Sequence, residues 1–173
     1  MSVKIVTLGT ANVARSVMLA YMLATLAEAE GRDWRVKSAG THAVQNLSMS
    51  RSAWAALENV GELGEHNYAA HRSHLITTLD LDEADVVLAM EASQVRHLER
   101  LDERSGARTV HFVSFVRSAP LDEPLAAQIK AVRALGLDDT LDVADLGNAD
   151  ESTYERSARE LWELAQAFAV VVL

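Results

Sequence analysis

The chain has 173 residues, 49% of them hydrophobic and 5% aromatic, with 16 basic against 25 acidic side chains for a net charge of -9. Length and composition predict one globular domain over residues 1–173 with a core filled mainly by Leu, Val and Ala, and the acidic balance argues against nucleic acid or an anionic membrane as a bulk partner. With no cysteine in the chain, disulfides, thiolate metal sites and any cysteine nucleophile are excluded.

Val3 to Leu8, "VKIVTL", is a short apolar run rich in β-branched residues and predicts a buried strand. A loop follows, and then Arg15 to Glu30 carries strong helix formers at helical spacing, stopped by Gly31. Trp34 to Gly40 predicts a second strand and Ser50 to Val60 a helix. A short helix is expected around Leu75 to Leu81. Ala84 to Met90 predicts a third buried strand, Glu91 to Leu101 a helix and Ala107 to Val116 a fourth strand. Leu121 to Leu135 is patterned as an amphipathic helix. Thr153 to Phe168 is the last one, with Tyr154, Leu161, Leu164, Ala165 and Phe168 on one face. This alternation predicts a three-layer α-β-α sandwich around a four-stranded parallel sheet of the flavodoxin-like type. No run approaches the ~18 apolar residues of a membrane span, and the opening residues lack the pattern of a signal peptide. A cytoplasmic protein is expected.

In an open parallel sheet, ligands bind at the carboxyl ends of strands where the strand order switches. The first candidate is therefore the loop "LGTANVARSV" after the first strand. It opens a helix, whose free N–H groups and dipole favour negative charge. Arg15 stands at the junction and can grip two oxyanion oxygens. Ser16 can cap the helix, and Asn12 tolerates a left-handed backbone. On spacing alone, an ordinary strand–helix turn with a surface Arg is as good a reading as an anion site.

The loop resembles that of the low-molecular-weight protein tyrosine phosphatases and the related arsenate reductases, whose motif is strand, C-x-x-x-x-x-R-S, helix. The frame here is Gly9-Thr10-Ala11-Asn12-Val13-Ala14-Arg15-Ser16. Asn12, Arg15 and Ser16 match, whereas Gly9 takes the place of the nucleophilic Cys, Ala14 that of a second Cys and Val17 that of a Pro. Further segments resemble the family as well: "VKSAGTHA", "HRSHLIT", "ADVVLAMEASQVRHL" and "DVADLGNADESTYERSARELWEL". Only about Ser118 to Leu141 falls outside the resemblance. It implies an anion-binding ring over Gly9, Thr10, Ala11, Asn12, Val13, Ala14 and Arg15, supported by a polar network of Asn12, Ser16, Ser38 and His71. It also implies a general acid at Asp145, with Asp142 as the alternative match. The Pro that follows the acid in the family is Leu146 here, and the aromatic positions after it are Gly147 and Asn148.

The family's thiolate attacks phosphorus while Arg and the loop amides stabilise the transferring group and the Asp protonates the leaving oxygen. Gly9 deletes the first step. Thr7 and Thr10 flank the gap, but a Thr hydroxyl needs an adjacent base and the loop offers none. Arsenate reduction needs redox thiols. Losing the thiolate removes a repulsion toward a phosphate dianion on the order of a few kcal/mol at intermediate dielectric. The resemblance thus implies a pseudophosphatase that binds phosphate, sulfate or a phosphorylated residue, with neither metal nor cofactor. Two alternatives stand beside it: a weak phosphatase using water and Asp145, and a non-catalytic scaffold for a protein partner, with "AFAVVVL" (Ala167 to Leu173) either as a candidate surface or simply packed on the sheet.

Overall fold

A computed structural model describes residues 1–172. Its elements are β1 (Val3–Gly9), α1 (Arg15–Glu30), β2 (Trp34–Gly40), α2 (Arg51–Glu58), α3 (Thr78–Glu83), β3 (Val86–Ala89), α4 (Ala92–Leu101), α5 (Glu103–Gly106), β4 (Thr109–His111), α6 (Phe112–Ser118), α7 (Leu125–Ala134) and α8 (Glu151–Val171). The strands form one parallel sheet in the order β2-β1-β3-β4. β1 is buried on both sides, and successive side chains supply both layers of the core. Ile5 joins Val86, Leu88 and residues of α1, α2, α6 and α8 on one face. Val6 and Leu8 join Val87, Ala89, Leu81, Val95 and Leu98 on the other, under α3 and α4. This is the three-layer arrangement expected.

Side-chain caps move several element ends away from where periodicity places them. The fourth strand stops at His111 instead of reaching Val116, because the His111 side chain accepts the Ser114 N–H and starts α6. The helix expected from Leu121 begins at Leu125, since Pro124 forces the residue before it toward extended backbone. The helix expected around Leu75 starts at Thr78, where Thr77 and Asp80 form a capping box. Ser50 is the cap of α2 rather than its first residue, accepting from Ala53 N–H at 3.1 Å. Asp150 caps α8, which starts at Glu151, two residues before the predicted Thr153. Gly31 ends α1 in the left-handed conformation, as its position predicts.

The apolar C-terminal run is mostly part of the core. Phe168, Ala169, Val171 and Val172 are buried and Val170 is exposed; Leu173 lies outside the described residues. Of the two readings of this segment, a partner-binding surface and packing on the sheet, burial in the core favours the second and accounts for its apolar character.

Candidate functional site

The chain runs from β1 to β2 on one side and returns to β3 on the other. The carboxyl end of β1 therefore faces a crevice, and residues 10–14 cross it. Inside that crossing the backbone is sorted by direction. Thr41 N–H donates to the Gly9 carbonyl at 3.0 Å, His42 N–H to Thr10 at 2.9 Å, Ser50 N–H to Val13 at 2.9 Å and Met18 N–H to Ala14 at 2.9 Å. The Asn12 carbonyl accepts from His71 Nε2 at 2.9 Å. By contrast, no N–H group from Thr10 to Arg15 has a hydrogen-bond partner among the described residues. Asn12 and Arg15 are buried and Val13 and Ala14 half-buried, whereas Thr10 and Ala11 are exposed; amides without acceptors are costly where water is kept out. A concave run of N–H groups of this kind has the geometry that can receive an anion.

Asn12 makes the reversal possible. It is buried and adopts a left-handed φ of 58°, which Asn tolerates better than most residues. Its Nδ2 donates to Ser16 Oγ at 3.0 Å and its Oδ1 accepts the His74 N–H at 2.9 Å. Three of the four expected network members, Asn12, Ser16 and His71, come together. Ser38 does not: it sits beside Thr7 in the ladder, and the His74 backbone takes up the Asn12 oxygen instead. Burial pushes the His71 imidazole below the ordinary histidine range, consistent with a neutral ring donating through Nε2. Ser16 is no cap. It is buried in the first turn, and among the described residues no side chain caps α1, so the first N–H groups of that helix open onto the same loop.

Arg15 is 6% exposed and held from behind. Its Nη1 donates to the Val143 carbonyl at 2.6 Å and pairs with Glu91 Oε1 at 2.6 Å, while Nη2 lies 3.6 Å from Asp145 Oδ1. The Glu91 carboxylate is 23% exposed and that of Asp145 78% exposed. Sequence reasoning missed Glu91. Its signal was its place two residues beyond the carboxyl end of β3, the neighbour of β1 in strand order, where an acid meets whatever β1 presents. It also missed the Val143 carbonyl, which leaves no trace in residue type.

Gly9, Thr10, Ala11, Asn12, Val13, Ala14, Arg15 and Ser16 line one hollow of about 290 Å³ together with Asp145, Leu146, Gly147 and Tyr154. Asp145 thus stands at the mouth of the loop. Asp142 points elsewhere, its Oδ1 accepting from Ala92 N–H at 2.8 Å and from His111 Nε2 at 2.9 Å. Gly9 closes the floor: a Cβ built there lies 3.0 Å from Ser16 Oγ and 3.3 Å from Ser16 Cβ. Gly40, its partner across the ladder, is tighter, since a Cβ there would meet the Thr10 carbonyl oxygen at 2.4 Å. Among the described residues there is no group of three or more His, Cys, Asp or Glu able to hold a metal ion, and no helix long and apolar enough to cross a membrane.

This arrangement can hold a tetrahedral oxyanion by backbone N–H groups on one side and a guanidinium on the other, with a carboxyl group at the mouth. A model of the low molecular weight phosphotyrosine protein phosphatase family matches residues 4–135. Among solved structures, the low molecular weight protein tyrosine phosphatase from T. tengcongensis superposes with a TM-score of 0.77 at 26% identity, over 96% of this chain and 97% of that one. The YwlE arginine phosphatase from Geobacillus stearothermophilus gives 0.74 at 26% identity, over 96% and 90%. Vibrio vulnificus Wzb in complex with benzylphosphonate gives 0.72 at 18% identity, over 96% and 97%, and shares the fold. A search of curated proteins finds no match.

Proposed function

The chain belongs to the low molecular weight phosphotyrosine protein phosphatase family, and from that premise we propose that it binds phosphate, sulfate or a phosphorylated residue without cysteine-dependent hydrolysis. One observation carries the reading: among the described residues the N–H groups of Thr10 to Arg15 have no partner, around a hollow floored by Gly9 and flanked by a buried Arg15. The parts that would bind an oxyanion are in place, in a chain with no cysteine to attack it. Gly9 stands where the family motif has its nucleophile. Its lack of a side chain also removes a negative charge from beneath the bound anion.

Related structures are a tyrosine phosphatase, an arginine phosphatase and a complex with benzylphosphonate, so phosphotyrosine and phosphoarginine peptides are the natural organic probes beside inorganic phosphate. Gly147 provides no wall for a ring and Tyr154 is the aromatic residue lining the hollow. A second reading, weak hydrolysis by water, is favoured by the position of Asp145 at the mouth. That carboxyl group could protonate a leaving oxygen on the outer side of the anion.

Turnover of an aryl phosphate at saturating concentration separates the two. We expect no hydrolysis above background by the wild-type chain. Turnover above background that is abolished by Asp145→Ala would establish the second reading and refute the first. Introducing Gly9→Cys builds a Cβ 3.0 Å from Ser16 Oγ and 3.3 Å from Ser16 Cβ, so that the Ser16 side chain must yield by a few tenths of an ångström, and weak activity is expected to appear.

A further inference from the structure

We infer that His111, a buried histidine two strands away from the anion loop, is a positioning residue for Arg15, acting through Asp142 and the carbonyl of Val143. The inference rests on the proposed anion site and adds to it the residue that aims its cation.

His111 ends β4 and is 2% exposed. Its Nδ1 accepts from the Ser114 N–H at 3.3 Å and lies 3.0 Å from Ser114 Oγ. A ring nitrogen that accepts an amide N–H carries no proton, so in the neutral imidazole the proton sits on Nε2. That N–H donates to Asp142 Oδ1 at 2.9 Å, and the same oxygen accepts the Ala92 N–H at 2.8 Å. Asp142 is thereby fixed to the starts of α4 and of α6 at once. The next residue carries the effect to the site. Val143 N–H donates to the Met90 carbonyl at 2.9 Å, and the Val143 carbonyl accepts Arg15 Nη1 at 2.6 Å. A carbonyl pinned on both sides is a fixed acceptor, and it orients the plane of the guanidinium.

The plainer account is that His111 only caps α6. Asparagine separates the two roles, because it is among the best N-cap residues but too short to replace the imidazole's reach to Asp142. The experiment compares wild type with His111→Asn, Asp142→Ala and Asp142→Asn. Inorganic phosphate is titrated calorimetrically at fixed ionic strength. Thermal unfolding, the Arg15 Nε–H resonance and hydrogen exchange of the Val143 amide are followed alongside.

His111→Asn is expected to stay folded and to bind phosphate roughly three- to tenfold more weakly, within the range of couplings between hydrogen-bonded neighbours. Its Val143 amide should exchange faster and its Arg15 resonance broaden. Asp142→Ala should do the same, while Asp142→Asn, which keeps an oxygen acceptor, should lie closer to wild type. Unchanged affinity, exchange and Arg15 signal in folded His111→Asn overturn the inference and leave the cap alone. If His111→Asn does not fold, the two Asp142 variants decide: Asp142→Ala indistinguishable from wild type overturns it. If wild type binds no phosphate, the anion reading fails by itself, and the Val143 and Arg15 signals still decide whether His111 positions the guanidinium.

Discussion

Replacing Arg15 with Ala tests the site at the point where its contacts are best defined. The guanidinium is 6% exposed and bonded at 2.6 Å to the Val143 carbonyl and at 2.6 Å to Glu91. A charge-assisted hydrogen bond contributes about 1.5–3 kcal/mol. At ~1.4 kcal/mol per decade, losing even one such bond to the bound anion weakens phosphate binding about tenfold to a hundredfold. Two further effects push the same way. Glu91 and Asp145 stay behind as uncompensated negative charges beside the hollow, and the Val143 carbonyl loses its donor. The stability cost of stranding the partly buried Glu91 carboxylate and the Val143 carbonyl is on the order of 1–3 kcal/mol, while Asp145, 78% exposed, adds little to it. Arg15→Lys keeps the charge as a point donor that cannot fork, so it should bind more weakly than wild type and better than Ala. Calorimetric titration with phosphate, at fixed ionic strength and with circular dichroism to confirm folding, makes the measurement. A folded Arg15→Ala protein with wild-type phosphate affinity would refute the reasoning, because no other cation lines the hollow among the described residues.

Gly40→Ala should drive a methyl into the Thr10 carbonyl oxygen, 2.4 Å from the ideal Cβ position. The expected result in denaturant titration is a loss of about 1–3 kcal/mol, accompanied by weaker phosphate binding as the loop shifts. Asn12→Ala removes the bonds to Ser16 and His74 and leaves a non-glycine residue at φ 58°; Asn12→Gly should recover only the conformational part, about 1–2 kcal/mol, so the order of melting temperatures should be wild type, Gly, Ala. His111 and His71 are both held below the ordinary histidine range, foremost by burial. The unfolded chain therefore takes up protons first, and stability should be full above pH ~6.5 and fall as pH drops from there toward the lower folded values. His111→Asn should flatten that slope, which urea midpoints across pH 5–8 would show. Asp80 has the opposite chemistry. Burial pushes its carboxyl up, but hydrogen bonds from Thr77, Lys37 and His74 prevail and hold it well below the usual carboxylate range. Its contribution is present above pH ~3.9 and is lost as pH falls through the folded value, so the penalty of Asp80→Asn should be largest near neutrality and shrink in acid.

What the sequence by itself determined was set by periodicity and by backbone chemistry. Two buried strand patterns, one long helix ended by Gly31 and the alternation of elements were enough for the parallel sheet and for a ligand loop after β1, because burial on both faces and short crossovers are local demands that each segment must satisfy. The left-handed turn belonged to Asn12 and the cation to Arg15 for the same reason: residue type limits what the backbone and the charge can do. The tertiary structure alone decided where β4 stopped. "HFVSF" is as good a strand as a helix by pattern, and a side-chain cap from His111 to Ser114 broke the tie. It alone excluded Ser38 from the network by turning the Asn12 oxygen toward the His74 amide. It also chose between Asp145 and Asp142 at the mouth of the loop, because Asp142 is bound by groups some fifty and thirty-one residues away in the chain. Glu91 and the Val143 carbonyl, which hold Arg15 in place, became visible only when distant segments met. Contacts between them depend on packing and hydrogen-bond geometry across the crevice, and neither is written in the spacing of residues along the chain.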